Sequence, residues 1–161
     1  MPLTSHEIAA IRAYSGTAYR TINDYLRNEG SGDPVIEAQV HHLDQALVSN
    51  PSSVALIVYR GVSEAFAARL AGRGLAAGDI ILDRAFLSTS RHQDVASAFM
   101  RDEGGMILAI GIPASMKALD IAEFSTYPSE AETLVARNAS LRVIGYDASA
   151  DILELEMLGD E

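Results

Sequence analysis

Apolar residues in the first third of the chain recur every three or four positions, as on amphipathic helices. Thr4 and Glu7 have the spacing of a capping box, which predicts a first helix from there to about Arg12. Thr17 is predicted to cap a second helix that runs through Leu26 and ends at the glycines that follow it. The chain is therefore expected to begin with two separate short helices.

A third helix is predicted from Asp33 and Pro34, because an acidic cap followed by proline is a common helix start. It should end near Asn50, since the residue before Pro51 resists the helical conformation. The apolar residues that this helix is expected to turn toward the core are Val35, Ile36, Val40, Leu43 and Leu47.

From Val54 onward the apolar runs become short and rich in β-branched residues, which is typical of strands. Two helices interrupt them, one capped by Ser63 and holding Phe66 and Leu70, the other from Gln93 to Met100. The predicted strand segments are, in chain order, ALIVYRG, IIL, AFLSTS, MILAIGI, KALDI, ETLVA, LRVIGY and ILELEML.

The last segment alternates apolar and acidic residues, which predicts an exposed antiparallel strand whose acidic end forms a solvated edge. Helices followed by a mostly antiparallel sheet indicate an α+β fold. We predict a single domain spanning residues 1–161, a length at which one hydrophobic core is usual.

Composition narrows the classes of function. The net charge of −10 disfavours nucleic acid, because it repels phosphates. The absence of cysteine excludes thiolate nucleophiles and cysteine-type zinc sites, and the adjacent His41 and His42 cannot both face one metal from a helix. The first residues lack a basic stretch followed by an apolar run, so we expect export, if it occurs, by a route without a signal peptide.

Three short motifs carry candidate chemistry: Tyr59-Arg60-Gly61, Ser88-Thr89-Ser90 and Glu130-Ala131-Glu132. Taken singly each has an ordinary explanation: a solvated charge at a strand end, hydroxyls that satisfy their own backbone, and a polar strand face. Their order and spacing together indicate a site.

In that order the motifs resemble those of the Arg-Ser-Glu family of mono-ADP-ribosyltransferases, which includes binary actin-modifying toxins and related bacterial and phage enzymes. The resemblance implies an ADP-ribosyltransferase fold, with N-terminal helices followed by a two-sheet, mostly antiparallel β core. It also implies that NAD is the substrate. The residues that it places against NAD are Tyr14, Tyr19, Asn23, Arg60, Gly61 and Phe99.

The chemistry of NAD cleavage suits these residue types. Departure of nicotinamide leaves positive charge on the ribose, so a carboxylate such as Glu132 stabilises the transition state more than the ground state. Ser88 can hold that carboxylate in one orientation, and the forked guanidinium of Arg60 can grip the pyrophosphate or ribose. Phe99 offers a flat face for nicotinamide, although a core position is an equally good interpretation. No metal is expected.

Glu130 is predicted to serve the acceptor, because an arginine guanidinium stays protonated and needs a carboxylate to orient it and take its proton. In the family a glutamate at this position generally accompanies arginine modification. If the segment is extended, Glu130 and Glu132 point the same way about 7 Å apart. The Tyr127 turn resembles the family's acceptor-recognition turn and could otherwise be a plain surface turn.

The sequence therefore predicts transfer of ADP-ribose from NAD to a protein arginine by Glu132, Glu130, Ser88 and Arg60. Two alternatives remain open: an NAD glycohydrolase of the same fold, and a degenerate module that binds a partner without catalysis. The predicted partners are NAD, a target protein and, for a toxin, an immunity protein; neither nucleic acid nor a membrane is expected. A bacterial or phage effector of this kind is expected to act in a cytoplasm.

Overall fold

The computed structural model describes residues 2–62, 76–101, 105–125, 127–147, 149 and 151–159. Helix α1 spans Ser5–Ala13. The predicted capping box is confirmed: the Thr4 hydroxyl accepts from the Glu7 amide at 3.1 Å, and the Glu7 carboxylate accepts from the Thr4 amide at 2.9 Å. These reciprocal bonds satisfy amides that a helix start otherwise leaves free.

The second helix does not start afresh at Thr17, and that prediction is wrong. Helix α1 passes through one π-helical turn, Tyr14–Ala18, directly into α2, Tyr19–Arg27. Right-handed helical dihedral angles are found at both ends of this turn, at Ala13, Tyr14, Ala18 and Tyr19, and α2 has no side-chain cap. Because the backbone never leaves the helical region, no amides are freed there for a hydroxyl to cap.

Helix α3 spans Pro34–Ser49 and begins as predicted, because the Asp33 carboxylate accepts from the amides of Val35 and Ile36 at 3.0 and 3.2 Å. Val35 was expected in the core but is 68% exposed. The buried face of α3 follows Ile36 at helical spacing, and Val35 lies about 100° round the axis from it.

The rest of the chain is mainly β-strand, which confirms the predicted α+β class. Helix α4, Gln93–Arg101, falls where a helix was predicted. The predicted helix with Ser63, Phe66 and Leu70 lies outside the described residues. The strands are β1 Leu56–Val62, β2 Ile80–Asp83, β3 Leu87–Ser90, β4 Met106–Ile112, β5 Ala118–Asp120, β6 Glu132–Val135, β7 Ala139–Asp147 and β8 Ile152–Met157.

These strands form one hydrogen-bonded sheet in the order β2-β7-β8-β4-β1-β3-β6-β5, so the expected division into two sheets is not present. Among the described strands, β4 and β8 run parallel and the other neighbours antiparallel. The β1–β3 junction is narrow, with a single register pair that joins Tyr59 to Ser90. Side chains from both sides of that junction share one apolar core.

A second apolar cluster packs α1, α2 and α3 against β6 and its neighbours. Strand β6 serves both clusters, because Leu134 faces the helices and Val135 faces the strand cluster. Strand β8 lies between β7 and β4, so its prediction as a solvated edge is wrong. Leu153 and Leu155 are buried on one face, which leaves Glu154 on the open face of an interior strand. No helix among the described residues has both the length and the apolar character needed to span a membrane.

Candidate active site

Three strands bring the predicted motifs together. Ser90 on β3 is paired with Tyr59 on β1 and with Glu132 on β6, so the three motifs meet at one end of these neighbouring strands. The π-turn and α2 form the opposite wall of a cleft of about 550 Å³. Its lining includes the predicted residues Tyr14, Tyr19, Asn23, Arg60, Gly61, Ser88, Glu130 and Glu132.

The three hydroxyls of Ser88-Thr89-Ser90 have different partners. The Ser88 hydroxyl lies 2.9 Å from the Tyr14 hydroxyl, inside the cleft. Thr89 is buried and donates to the Thr133 carbonyl at 2.6 Å, which ties β3 to β6. Ser90 donates to the Glu130 carbonyl at 2.6 Å and thereby holds the turn before β6. Ser88 therefore faces the cleft, whereas Thr89 and Ser90 stabilise the strand pairing and the turn around it.

Glu130 and Glu132 do not lie on an extended segment, which corrects the geometry expected from the sequence. Glu130 ends a 3₁₀ turn, Pro128–Glu130, and Glu132 begins β6. Between them Ala131 has a φ of 47°, in the left-handed region that alanine rarely adopts. The turn, rather than strand pleating, sets where the two carboxylates point.

The pKa of Glu132 is raised from 4.5 to about 7, chiefly because the side chain is largely removed from water and also because Glu130 is nearby. Hydrogen bonding by the Ser88 hydroxyl and the charge of Arg60 oppose this rise. A poorly hydrated carboxylate whose ionised form is favoured by a hydroxyl and by the charge of a guanidinium is well suited to stabilise positive charge that develops in a reaction.

Arg60 is not a solvated strand end. One of its terminal nitrogens, Nη1, donates to the Ser88 carbonyl at 2.9 Å, which fixes the side chain beneath the serine motif. Its Nε is buried and has no hydrogen-bond partner. Burial lowers the pKa of Arg60, so a cation in this position costs desolvation energy that an anionic ligand would offset.

The helical wall contributes Tyr14, Tyr19 and Asn23. Tyr14 lies in the floor of the cleft with 0% of its surface exposed, and its hydroxyl accepts from the Asn23 amide at 3.1 Å. Burial raises the pKa of Tyr14, so the phenol stays protonated near neutral pH. The Oδ1 atom of Asn23 is buried without a partner. Tyr19 lies beside the cleft and accepts from Arg20 Nε at 3.0 Å.

Sequence reasoning missed two cations in this wall, Arg20 and Arg27. Their seven-residue spacing puts them on one helical face, a signal that was available from the sequence. Arg27 forms an ion pair with Asp83 at 3.1 Å, whereas Arg20 has no carboxylate partner within 4.0 Å among the described residues. On this wall of the cleft, Arg27 is therefore paired with a carboxylate, whereas Arg20 is not paired with any described one.

The remaining predicted residues lie at the margins. Tyr127 is 53% exposed and lines the cleft beside Glu130. Phe99 belongs to α4, but its side chain lies outside the described part of the structure. Within the described residues, no cluster of three or more histidine or acidic side chains could hold a metal ion.

Comparison with known proteins assigns this chain to a family. The family model for ADP-ribosyltransferase exoenzymes matches residues 1–155. The chain belongs to that family. Across 153 residues it is 32% identical to a Mycobacterium avium protein named as an NAD(+)–arginine ADP-ribosyltransferase, Mav. The match covers 89% of this chain but only 16% of Mav.

Solved structures of other proteins share the fold. Plx2a, an ADP-ribosyltransferase toxin from Paenibacillus larvae, superposes with a TM-score of 0.82 at 23% identity, over 98% of this chain and 88% of that one. Exoenzyme S from Pseudomonas aeruginosa, solved with human 14-3-3 protein beta and carba-NAD, gives 0.80 at 22% identity over 98% and 76%. These likenesses confirm the predicted fold.

Proposed function

We propose that this chain transfers ADP-ribose from NAD to an arginine side chain of a protein and releases nicotinamide. The observation that carries the proposal is the meeting of Glu132, Ser88 and Arg60 in one cleft, with Glu130 on the adjoining turn. Membership of the ADP-ribosyltransferase exoenzyme family supports the reaction class.

The cleft suits a dinucleotide in size and in polar groups. Its volume of about 550 Å³ is within the usual range of ligand pockets. Two buried atoms in its lining, Asn23 Oδ1 and Arg60 Nε, have no protein partner, and buried polar atoms without partners are costly. The first can accept a hydrogen bond and the second can donate one to a phosphate or ribose oxygen.

In the reaction the bond between the ribose and the pyridinium nitrogen breaks, and nicotinamide leaves with the bonding electrons. The positive charge left on the ribose is stabilised by the ionised Glu132 carboxylate, which Ser88 and Arg60 favour. A guanidine nitrogen of the acceptor then bonds to the ribose carbon. Glu130 takes the proton that this nitrogen loses.

Arginine is the acceptor that the adjoining turn favours. Glu130 and the exposed Tyr127 belong to one turn and both line the cleft, so an entering guanidinium can stack on the ring and be oriented by the carboxylate. The name of the Mav protein, an arginine ADP-ribosyltransferase, points to the same acceptor. Since this chain matches only 16% of Mav, the acceptor is inferred from the turn first.

Arg20 is the best candidate for a second phosphate-binding cation. Gly61 follows Arg60 where binary toxins often have a second basic residue, so β1 supplies one guanidinium to the cleft. Arg20 lines the same cleft from α2 and lies with its guanidinium carbon 5.7 Å from the Tyr19 ring centre. It needs no carboxylate to be displaced before it binds phosphate, unlike Arg27.

The decisive experiment assays Glu130→Gln and Glu132→Gln for nicotinamide release and for transfer to the small guanidine agmatine. Glu132→Gln should lose both activities at least about a hundredfold, because it removes the charge that stabilises the cation. Glu130→Gln should lose transfer but keep slow NAD hydrolysis. Full transfer to agmatine by Glu130→Gln would show that Glu130 does not serve the acceptor and would remove the reason for choosing arginine. Hydrolysis alone in the unmodified protein would identify a glycohydrolase.

We further propose a toxin or effector role in the cytoplasm of a target cell, where NAD and protein acceptors are both present. The toxin names of structural relatives such as Plx2a support it. Expression of this chain in a susceptible cytoplasm should arrest growth, and the Glu132→Gln protein should not. Equal growth with both would contradict the role, and any immunity protein should be found by its suppression of the arrest.

A further inference from the structure

The hydroxyl of Tyr14 is the centre of a chain of hydrogen bonds that leads to the candidate catalytic carboxylate. It lies 3.1 Å from Asn23 Nδ2 and 2.9 Å from Ser88 Oγ. Tyr14 has no exposed surface, so its hydroxyl is committed to these two neighbours. Ser88 and Glu132 line the same cleft, and the Ser88 hydroxyl lowers the pKa of the Glu132 carboxyl.

The donors along this chain can be assigned in order. An amide NH₂ group only donates, so Asn23 Nδ2 donates to the Tyr14 oxygen. A phenol has a single proton, and the acceptor within reach of the Tyr14 proton is Ser88 Oγ. The Ser88 hydroxyl, having accepted that bond, directs its own proton elsewhere, and Glu132 is the acceptor beside it.

The π-turn explains how two residues of one helix reach each other. In an ideal α-helix, residues nine positions apart lie on roughly opposite faces, since nine residues make about two and a half turns. The turn at Tyr14–Ala18 is wider and takes up an additional residue. It thereby rotates Asn23 back toward the side that Tyr14 occupies, which allows the buried 3.1 Å bond.

We propose that Asn23 and Tyr14 are positioning residues, which act through Ser88 by directing its hydroxyl proton toward Glu132 and so holding that carboxyl group in one orientation and favouring its ionised form. The inference rests on the proposed function for its catalytic meaning. It assigns the Tyr14 hydroxyl to the enzyme's own carboxylate rather than to direct contact with NAD. The lowering of the Glu132 pKa by Ser88 is the effect that such a chain would maintain.

The first test is Tyr14→Phe, which removes one oxygen and keeps the ring that packs on Phe86. In the absence of NAD, the Glu132 carboxyl, assigned by comparison with Glu132→Gln, is titrated by carbon-13 NMR. Without the donor from Tyr14, the Ser88 proton is no longer directed to Glu132, so the pKa of Glu132 should rise by about one pH unit. An unchanged titration would overturn the proposal.

The matched control is Tyr25→Phe, which removes a hydroxyl from the same helix outside the cleft, where its partner is the Asp33 amide. It should leave the titration of Glu132 unchanged. For NAD cleavage, Tyr14→Phe should lower kcat about tenfold, change KM little and move the acid limb of the pH profile upward. A rise in KM with an unchanged kcat would instead identify Tyr14 as an NAD contact.

A second variant, Asn23→Asp, reverses the polarity of the chain at nearly constant shape. The new carboxylate accepts from Tyr14, so Ser88 donates to Tyr14 and Glu132 loses its donor. If the effect travels through Tyr14, adding Asn23→Asp to Tyr14→Phe should raise the Glu132 pKa little further. If the two substitutions shift the Glu132 pKa additively, the new carboxylate acts directly through its charge and the proposed hydrogen-bond chain is refuted. Because titration needs no NAD, an inactive wild-type protein would refute the proposed function alone.

Discussion

The raised pKa of Glu132 makes a prediction about stability that is independent of any assay for activity. In the unfolded chain this carboxyl loses its proton near its ordinary pKa of 4.5, but in the folded protein it does so at about 7. The folded state therefore binds the proton more tightly. Ionisation of Glu132 costs folding free energy, and the cost appears as the pH rises through this window.

The size of the effect follows from the two pKa values. At pH 8 the ionised carboxylate should destabilise the fold by about 3 kcal/mol, and at pH 5 by less than about 1 kcal/mol. Glu132→Gln keeps the shape and removes the charge, so it should be more stable than the wild type at pH 8. For a chain of this size the gain corresponds to roughly 6–12 °C in Tm.

Thermal unfolding of both proteins at pH 5 and pH 8 measures this directly. The control is Glu154→Gln, on the open face of β8, where the side chain is exposed and the change should be small at both pH values. The gain from Glu132→Gln should be large at pH 8 and nearly gone at pH 5. Equal gains in Tm at the two pH values, or a lower Tm at pH 8, would refute the conclusion that burial raises the pKa of Glu132.

The other predictions concern NAD binding and cofactors. Arg60→Lys should raise the Kd for NAD, measured by calorimetry, about tenfold or more. A lysine ammonium cannot keep the hydrogen bond to the Ser88 carbonyl and also bind an oxyanion with two parallel N–H groups; unchanged affinity would count against Arg60 as an NAD-binding residue. Arg20→Ala should raise the KM for NAD about fivefold. The control is Arg84→Ala, because Arg84 forms an ion pair with Glu29, and this variant should leave the KM unchanged; the same KM in both variants would show that Arg20 does not bind NAD. Chelation with EDTA should leave nicotinamide release unchanged, and recovery of a lost activity by one metal would contradict this.

The sequence was sufficient to predict helices and strands that depend on residues close together in the chain. The Thr4–Glu7 capping box, the Asp33 cap and strand β4 could be predicted because each depends on residues a few positions apart. Three motifs in a family's order were also sufficient to indicate which side chains meet. Features that depend on distant pairing could not be predicted in the same way.

Strand β8 shows the difference. Its alternation of leucine and glutamate indicates one open face correctly, but an open face occurs on edge and interior strands alike. Only the parallel pairing with β4 and the antiparallel pairing with β7 place it inside the sheet. The Glu130–Glu132 turn is similar, since the left-handed Ala131 is held by Ser90, forty positions away from Glu130.

The candidate site also accounts for where this fold gives up stability. Glu132 ionises at a cost, Arg60 is desolvated, and Asn23 and Arg60 each bury an atom without a partner. Such groups usually lower stability by more than any single surface contact restores. These groups lie in one cleft, as expected if they bind an anionic substrate and stabilise the cation that forms during the reaction. The same groups that lower the stability of the fold would then stabilise the complex and the transition state, so removing any of them should trade activity for stability.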